Sequence, residues 1–78
     1  MEFELLTKII VEVLGVDSSE VTTDTTFEDL GADSLDVASI IIELEQELDI
    51  QIEDEELAEI KTVGDAVEKI QAAVAVKE

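Results

Sequence analysis

Apolar residues recur at three- and four-residue intervals over much of the chain, and the spacing breaks in two places. Phe3, Leu6, Ile10, Val13 and Leu14 follow it, with Leu5 and Ile9 widening the stripe, so residues 2–14 are predicted to form an amphipathic helix that Gly15 stops. From Val16 to Asp33 no period survives. This stretch is rich in Thr, Asp and Ser and reads as a long loop, in which Val21, Phe27 and Leu30 are the apolar residues that would pin it to a core.

Asp33 is placed to cap a second helix running from Ser34 to about Leu48. Plotted at helical spacing, Val37, Ile40, Ile41, Leu44 and Leu48 fall within about a third of the circle and form the core face. Leu35 and Ile42, with Ala38 beside them, point to the far side, next to a strip holding Asp36, Glu43 and Glu47. Ile50 and Ile52 alternate with polar residues, but a lone strand has nothing to pair with, so an extended connection is expected. Asp54 can cap a short helical turn through Glu55, Glu56, Leu57 and Ile60. Thr62 and Asp65 form a capping-box pair ahead of Val63, Ala66, Val67, Ile70 and Val74, a helical stripe from about 63 to 75. The expected fold is all-α: a small bundle of three main helices plus one short helix, with a long loop between the first two helices, in one domain spanning residues 1–78.

Composition narrows the function. Leu, Ile, Val and Phe make 28 of the 78 residues, above the roughly 20% below which chains tend to be disordered, so the chain should fold. A chain this short buries only about 60% of its unfolded surface, enough for a modest core but not for a deep enclosed active site. There is no Cys and no His, hence no disulfide framework, no thiolate nucleophile and none of the usual transition-metal ligand sets. No apolar run approaches 20 residues and Met1 precedes an acid, so neither membrane insertion nor a leader is expected, and the expected location is the cytoplasm.

The chain has 22 acids against 4 lysines, a net charge of −18, and residues 17–59 contain 16 of those acids and no base. Such a field disfavours nucleic acid and favours proteins with Lys- and Arg-rich surfaces. Glu2, Glu4, Glu12, Glu68 and Glu78 read as a solvated face. Nine acids lie between residues 43 and 59, but without a calcium-loop pattern they indicate charge screening and no dedicated metal site.

One residue is a candidate for chemistry. Ser34 sits where loop becomes helix, in the run F-E-D-L-G-A-D-S-L-D from Phe27 to Asp36, and a helix N-terminus favours an anion. As a hydrolytic nucleophile it fails, because no histidine exists and no lysine occurs between residues 9 and 60 to act as base. The chain is therefore not expected to be an enzyme. A serine beside a capping aspartate is ordinarily only a helix start.

At this motif the chain resembles the acyl carrier protein family, in which a D-S-L serine at the start of the second helix carries a 4′-phosphopantetheine arm. Here the triplet is Asp33, Ser34 and Leu35, and the likeness continues through L-D-I-Q-I-E-D-E-E and through T-V-G-D-A-V at residues 62–67. The resemblance implies a covalent arm donated by coenzyme A and placed on Ser34 by a carrier-protein synthase (a phosphopantetheinyl transferase), with Asp33 beside the attachment point. It implies acyl groups held as thioesters on that arm and shuttled among fatty acid synthesis enzymes, as in the freestanding bacterial members. Leu35, Asp36, Ile42, Glu43 and Glu47 would dock the carrier, as a monomer, on basic patches of those enzymes. A carrier for polyketide or aminoacyl substrates is an alternative within the family, and an unmodified acidic interaction module is one outside it. The chain departs from the family pattern at Ser39, where many bacterial members have glutamate, at Leu48 in place of an aromatic, and at Glu53 in place of proline. The last two leave extra freedom in the 49–54 connection. The interior formed by Val37, Ile40, Ile41, Val63, Val67 and Ile70 is where an acyl chain could lodge.

Overall fold

The three apolar stripes and the short capped turn form α1 (Glu2–Leu14), α2 (Ser34–Leu48), α3 (Asp54–Ala58) and α4 (Val63–Lys77), with a short 3-10 turn at Ser18–Glu20. The computed structural model describes residues 2–77, Lys77 by its backbone alone; Glu78, read above as part of the solvated face, lies outside them. All four helices begin within a residue of where the pattern puts them. The fold is an all-helical bundle with a long loop between α1 and α2, and no strand forms among the described residues.

The core is aliphatic. Leu6, Ile9 and Ile10 of α1 meet Ile40, Ile41 and Leu44 of α2 and Val63, Ala66, Val67 and Ile70 of α4, all buried, and α1 packs on both other long helices. Burial of these side chains, each worth about 1.5–3 kcal/mol for the larger ones, drives the assembly. Some members of the stripes are only partly covered: Phe3, Leu5, Leu14, Val37, Leu48 and Val74 are half-buried against the core, and Val13 lies open in the last turn of α1, just before the chain reverses at Gly15. Gly15 has a φ of 70°, a left-handed value that a residue without Cβ adopts at no steric cost.

The loop is held as the pattern anticipates, through Val21 and Phe27, both buried, with Leu30 half-buried against the core. Backbone hydrogen bonds add to this. The Phe27 N–H donates to the Lys61 carbonyl at 3.1 Å, the Val63 N–H to the Thr25 carbonyl at 2.8 Å and the Gly64 N–H to the Thr23 carbonyl at 3.0 Å. The loop is thus stitched to the start of α4, with Thr26 and Thr62 forming an isolated antiparallel bridge. The 3-10 turn within it was not anticipated; the Asp17 N–H there donates to Glu20 Oε2 at 3.0 Å.

Two details of the second half differ from expectation. The cap of α3 is Glu53, one residue earlier than Asp54, because the Glu53 N–H finds Glu56 Oε2 at 3.2 Å and Asp54 becomes the first helical residue. Ile60 falls beyond the end of α3 but is buried. The 49–54 connection is tied down in place of a proline: Asp49 turns the chain with a left-handed φ of 54°, and the Ile52 N–H donates to Glu45 Oε2 at 2.8 Å. At the head of α4 the expected capping box is present, with the Asp65 N–H on Thr62 Oγ1 at 3.0 Å and the Thr62 N–H on Asp65 Oδ2 at 3.1 Å. A further bond from the Lys61 N–H reaches Asp65 Oδ2 at 3.2 Å. These backbone donors hold the Asp65 carboxyl below its ordinary pKa, the Thr62 N–H first and the Lys61 N–H second.

Two predictions test this frame. A Cβ on Gly64 would stand 2.8 Å from the Thr23 carbonyl oxygen, a backbone atom that cannot swing away. Gly64→Ala gains about 1 kcal/mol of helix propensity but incurs an overpacking cost of about 1–3 kcal/mol. The expected net is a loss of stability, read as a lower midpoint in urea; an unchanged or higher midpoint would show that the loop does not lie this close. Because the folded-state pKa of Asp65 is depressed, its contribution is present above the ordinary carboxylate pKa and fades as pH falls through the lowered value. Asp65→Asn should therefore be destabilising near neutral pH, with the gap to the parent closing at strongly acid pH in paired unfolding titrations.

Candidate functional site

Ser34 is the first residue of α2 and its side chain is exposed. The local sequence places it there by reciprocal capping. The Asp36 N–H donates to Asp33 Oδ1 at 2.9 Å, and the Asp33 N–H donates to Asp36 Oδ2 at 3.3 Å, so the two aspartates of D-S-L-D bracket the serine. The Val37 N–H takes the Asp33 carbonyl at 3.0 Å. This leaves the N–H groups of Ser34 and Leu35, at the first two helical positions, as the orphan donors that every helix start presents. Immediately upstream the chain makes a tight reversal: Leu30 and Ala32 both donate to the Phe27 carbonyl, and Gly31, with a φ of 83°, donates to the Glu28 carbonyl. Buried Phe27 anchors that reversal, so core and loop together determine where the hydroxyl points outward.

Asp33 and Asp36 thus act on Ser34 by fixing the helix start. The D-x-x-D spacing was the available signal for Asp36, which on the pattern reads only as one member of an acidic strip. Leu35 and Ile42 are exposed, by 76% and 51%, as the far-side reading requires. Glu43 and Glu47 are exposed and Asp36 is partly so, and seven- and four-residue spacings bring these three acids along one side of α2. Ser39 lies exposed between them and Leu35.

Beside Ser34 is a cavity of about 320 Å³ lined by Ser34, Val37, Ala38, Leu57, Ala58 and Ile60. Ala38, expected beside Leu35 and Ile42, is half-buried and also lines this cavity between α2 and α3. Nothing in the helical period of α2 reveals this, because the cavity exists only through the position that α3 takes. Ile40, Ile41, Val63, Val67 and Ile70, expected to surround a lodged chain, are fully packed in the core, and Val37 alone of that set lines the cavity. Glu59, the C-cap of the short helix beside the cavity, meets α4, where Lys69 Nζ donates to Glu59 Oε1 at 2.6 Å and the carboxylate raises the lysine pKa.

The geometry suits covalent attachment. An exposed primary hydroxyl at a helix start can accept a phosphodiester whose charge meets the positive end of the helix. The adjacent apolar cavity can shelter part of what the phosphodiester carries. Among the described residues no three acids converge as a metal site, and no helix is long and apolar enough to cross a membrane.

Comparisons with known proteins agree with this reading. Residues 4–70 match the family model described as the phosphopantetheine attachment site. The fold superposes on the acyl carrier protein of Thermotoga maritima with a TM-score of 0.87 at 30% identity, over 100% of this chain and 96% of that one. It also superposes on the acyl carrier protein of Enterococcus faecalis, with a TM-score of 0.71 at 32% identity over 94% and 98% of the two chains. A third likeness is to the hexanoyl carrier protein of the actinorhodin polyketide synthase of Streptomyces coelicolor, with a TM-score of 0.79 at 27% identity over 99% and 90%. The chain belongs to the acyl carrier protein family, whose cofactor is covalently attached 4′-phosphopantetheine.

Proposed function

We propose that residues 1–78 act as one carrier domain that bears 4′-phosphopantetheine on the Ser34 hydroxyl and carries acyl groups among the enzymes of fatty acid biosynthesis in the cytoplasm. The observation that carries this reading is the exposed Ser34 hydroxyl at the capped start of α2, beside an apolar cavity. The protein is a carrier and not a catalyst. Ser34 Oγ would attack the coenzyme A phosphorus that bears the pantetheine arm, the pyrophosphate bond would break with adenosine 3′,5′-bisphosphate leaving, and a base of the transferase would take the hydroxyl proton, since this chain has no histidine to do so. The arm supplies the thiol that the chain itself lacks.

The rest of the chain positions and presents that hydroxyl. Asp33 and Asp36 fix the helix start, and the amides of Ser34 and Leu35 face the phosphodiester. Leu35 and Ile42, bordered by Asp36, Glu43 and Glu47, dock onto basic, partly apolar patches of the transferase and of successive synthesis enzymes. The acids set encounter rate and orientation, and the aliphatics give short-range fit. Repulsion between copies of charge −18 favours the monomer. Val37, Ala38, Leu57 and Ile60, around the cavity by Ser34, receive the first part of an acyl chain. A second reading within the family is a carrier for polyketide assembly, supported by the likeness to the actinorhodin carrier protein; the D-S-L-D motif followed by an acidic helix favours fatty acid synthesis over it.

Two experiments test the proposal. Incubation with coenzyme A and a phosphopantetheinyl transferase should add the mass of the arm to the intact protein, and Ser34→Ala should abolish the gain. No gain, or one that survives the substitution, would overturn the attachment site and favour an unmodified acidic interaction module. Loading a medium-length acyl group should move the side-chain resonances of Val37, Ala38, Leu57 and Ile60 relative to the holo protein. Changes confined to the arm and the first turn of α2 would mean that the cargo stays outside.

A further inference from the structure

Of the two walls of the cavity beside Ser34, α3 is the one that the core secures less. None of its five residues is buried, and it is anchored through its neighbours Ile52 and Ile60, which are. A carboxylate contact lies next to each anchor. Toward α2, Glu45 Oε2 accepts the Ile52 N–H at 2.8 Å. Toward α4, Lys69 Nζ donates to Glu59 Oε1 at 2.6 Å. The second contact joins opposite charges. The helix and its caps carry five acids, Glu53, Asp54, Glu55, Glu56 and Glu59, and residues 17–59 contain no base, so a counter-charge has to come from another element. Lys69 supplies one from α4, one residue before buried Ile70. Its side chain is 26% exposed, and the Glu59 carboxylate first, then Glu56 and Glu68, raise its pKa.

We propose that Lys69 is a positioning residue for the cavity: through Glu59 it fixes the α3 wall, Leu57 and Ala58, against the α2 wall, Val37 and Ala38, and so sets the space open beside Ser34. Leu57 and Ala58 directly precede Glu59, so the restraint acts on the residues that line the cavity. It also acts against a repulsion. Glu56 shares a surface groove with Glu45 and Asp49 at the end of α2, and these like charges push the short helix outward. The ammonium of Lys69 offsets that push from the α4 side. An exposed pair of this kind is weak, which suits a wall that yields when cargo enters and then returns. The consequence for cargo rests on the reading that Ser34 bears an acyl arm: a fixed wall covers the first carbons of the cargo, and a loose one leaves them open to solvent.

The first experiment uses the full unmodified chain, so its outcome does not depend on whether Ser34 accepts an arm. Lys69→Met keeps the aliphatic stem and removes the charge, and Glu59→Gln keeps the shape of the partner. The two shift the net charge in opposite directions, so a shared effect reports the contact and not the overall field. Leu57 and Ile60 donate their N–H groups to the Glu53 and Leu57 carbonyls. Each variant should speed exchange of these two amides about threefold relative to their intrinsic rates, the size expected of an exposed pair. The methyl resonances of Val37, Ala38 and Leu57 should move while those of Leu6 and Ile10 stay in place. Lys69→Arg should match the parent, and the double variant should exchange about as fast as either single one. Parental exchange in both single variants, effects that multiply in the double variant, or core methyls that move as far as the cavity ones would overturn the proposal. In the second experiment the chain carries a medium-length acyl group, and Lys69→Met should lose it to hydroxylamine faster than the parent by a similar factor. Equal rates would overturn the effect on cargo. A chain that accepts no arm fails at loading, which counts against Ser34, while the exchange and methyl data still decide the role of Lys69.

Discussion

Three backbone hydrogen bonds, Phe27 to Lys61, Val63 to Thr25 and Gly64 to Thr23, join the long loop to the head of α4, and the placement of Ser34 depends on them. The chain must travel from the end of α1 to the start of α2 with few apolar residues to hold it. Buried Val21 and Phe27 attach it to the core, but two side chains alone would let the intervening segments slide. The backbone bonds set the register, and the close approach at Gly64 is the steric condition for making them. With the loop fixed, the reversal at Phe27–Ala32 and the Asp33–Asp36 box place the first turn of α2 so that Ser34 faces outward beside α3.

Acidic side chains contribute to this construction more than their exposure suggests. Glu20, Asp33, Asp36, Glu45, Glu56 and Asp65 each accept a backbone N–H where a helix begins or a connection would otherwise leave a donor unpaired. In a bundle without sheet ladders, loop amides have few backbone acceptors, and a carboxylate close by in sequence is a strong substitute. Capping therefore accounts for part of the charge that the composition shows, and it places several of those charges at helix N-termini, where the dipole offsets some of the mutual repulsion. Asp33 and Asp36 show the two uses in one place. They hold the helix start by hydrogen bonding and at the same time give the Ser34 end its negative field.

The three long helices and the pinning residues were legible in the sequence because each is a local matter: an apolar stripe at helical spacing, a glycine stop, a capping pair. Ser34 was legible for a similar reason, since the D-S-L-D run both caps the helix and carries the family likeness. What escaped the pattern was the placement of parts with little periodicity. The five residues of α3 carry too few apolar positions to specify which side of the bundle they cover, so the cavity beside Ser34 could not be read from the period of α2. The Glu45 contact to Ile52 spans seven residues and a change of chain direction, which no helical or turn signature encodes. It takes over the restraint that a proline at residue 53 would have provided.

Because α2 is a continuous helix of 15 residues, about 22 Å long, its two ends stand in fixed relation. Its first turn presents Ser34, the capping aspartates and Leu35. Its last two turns supply Ile42, Glu45 and Gln46, followed by the C-cap Asp49, to an open groove that Ala72, Ala73 and Val76 of α4 also line. The core face of the helix, Ile40, Ile41 and Leu44, is fully buried between these ends, so neither can shift without disturbing the packing that stabilises the bundle.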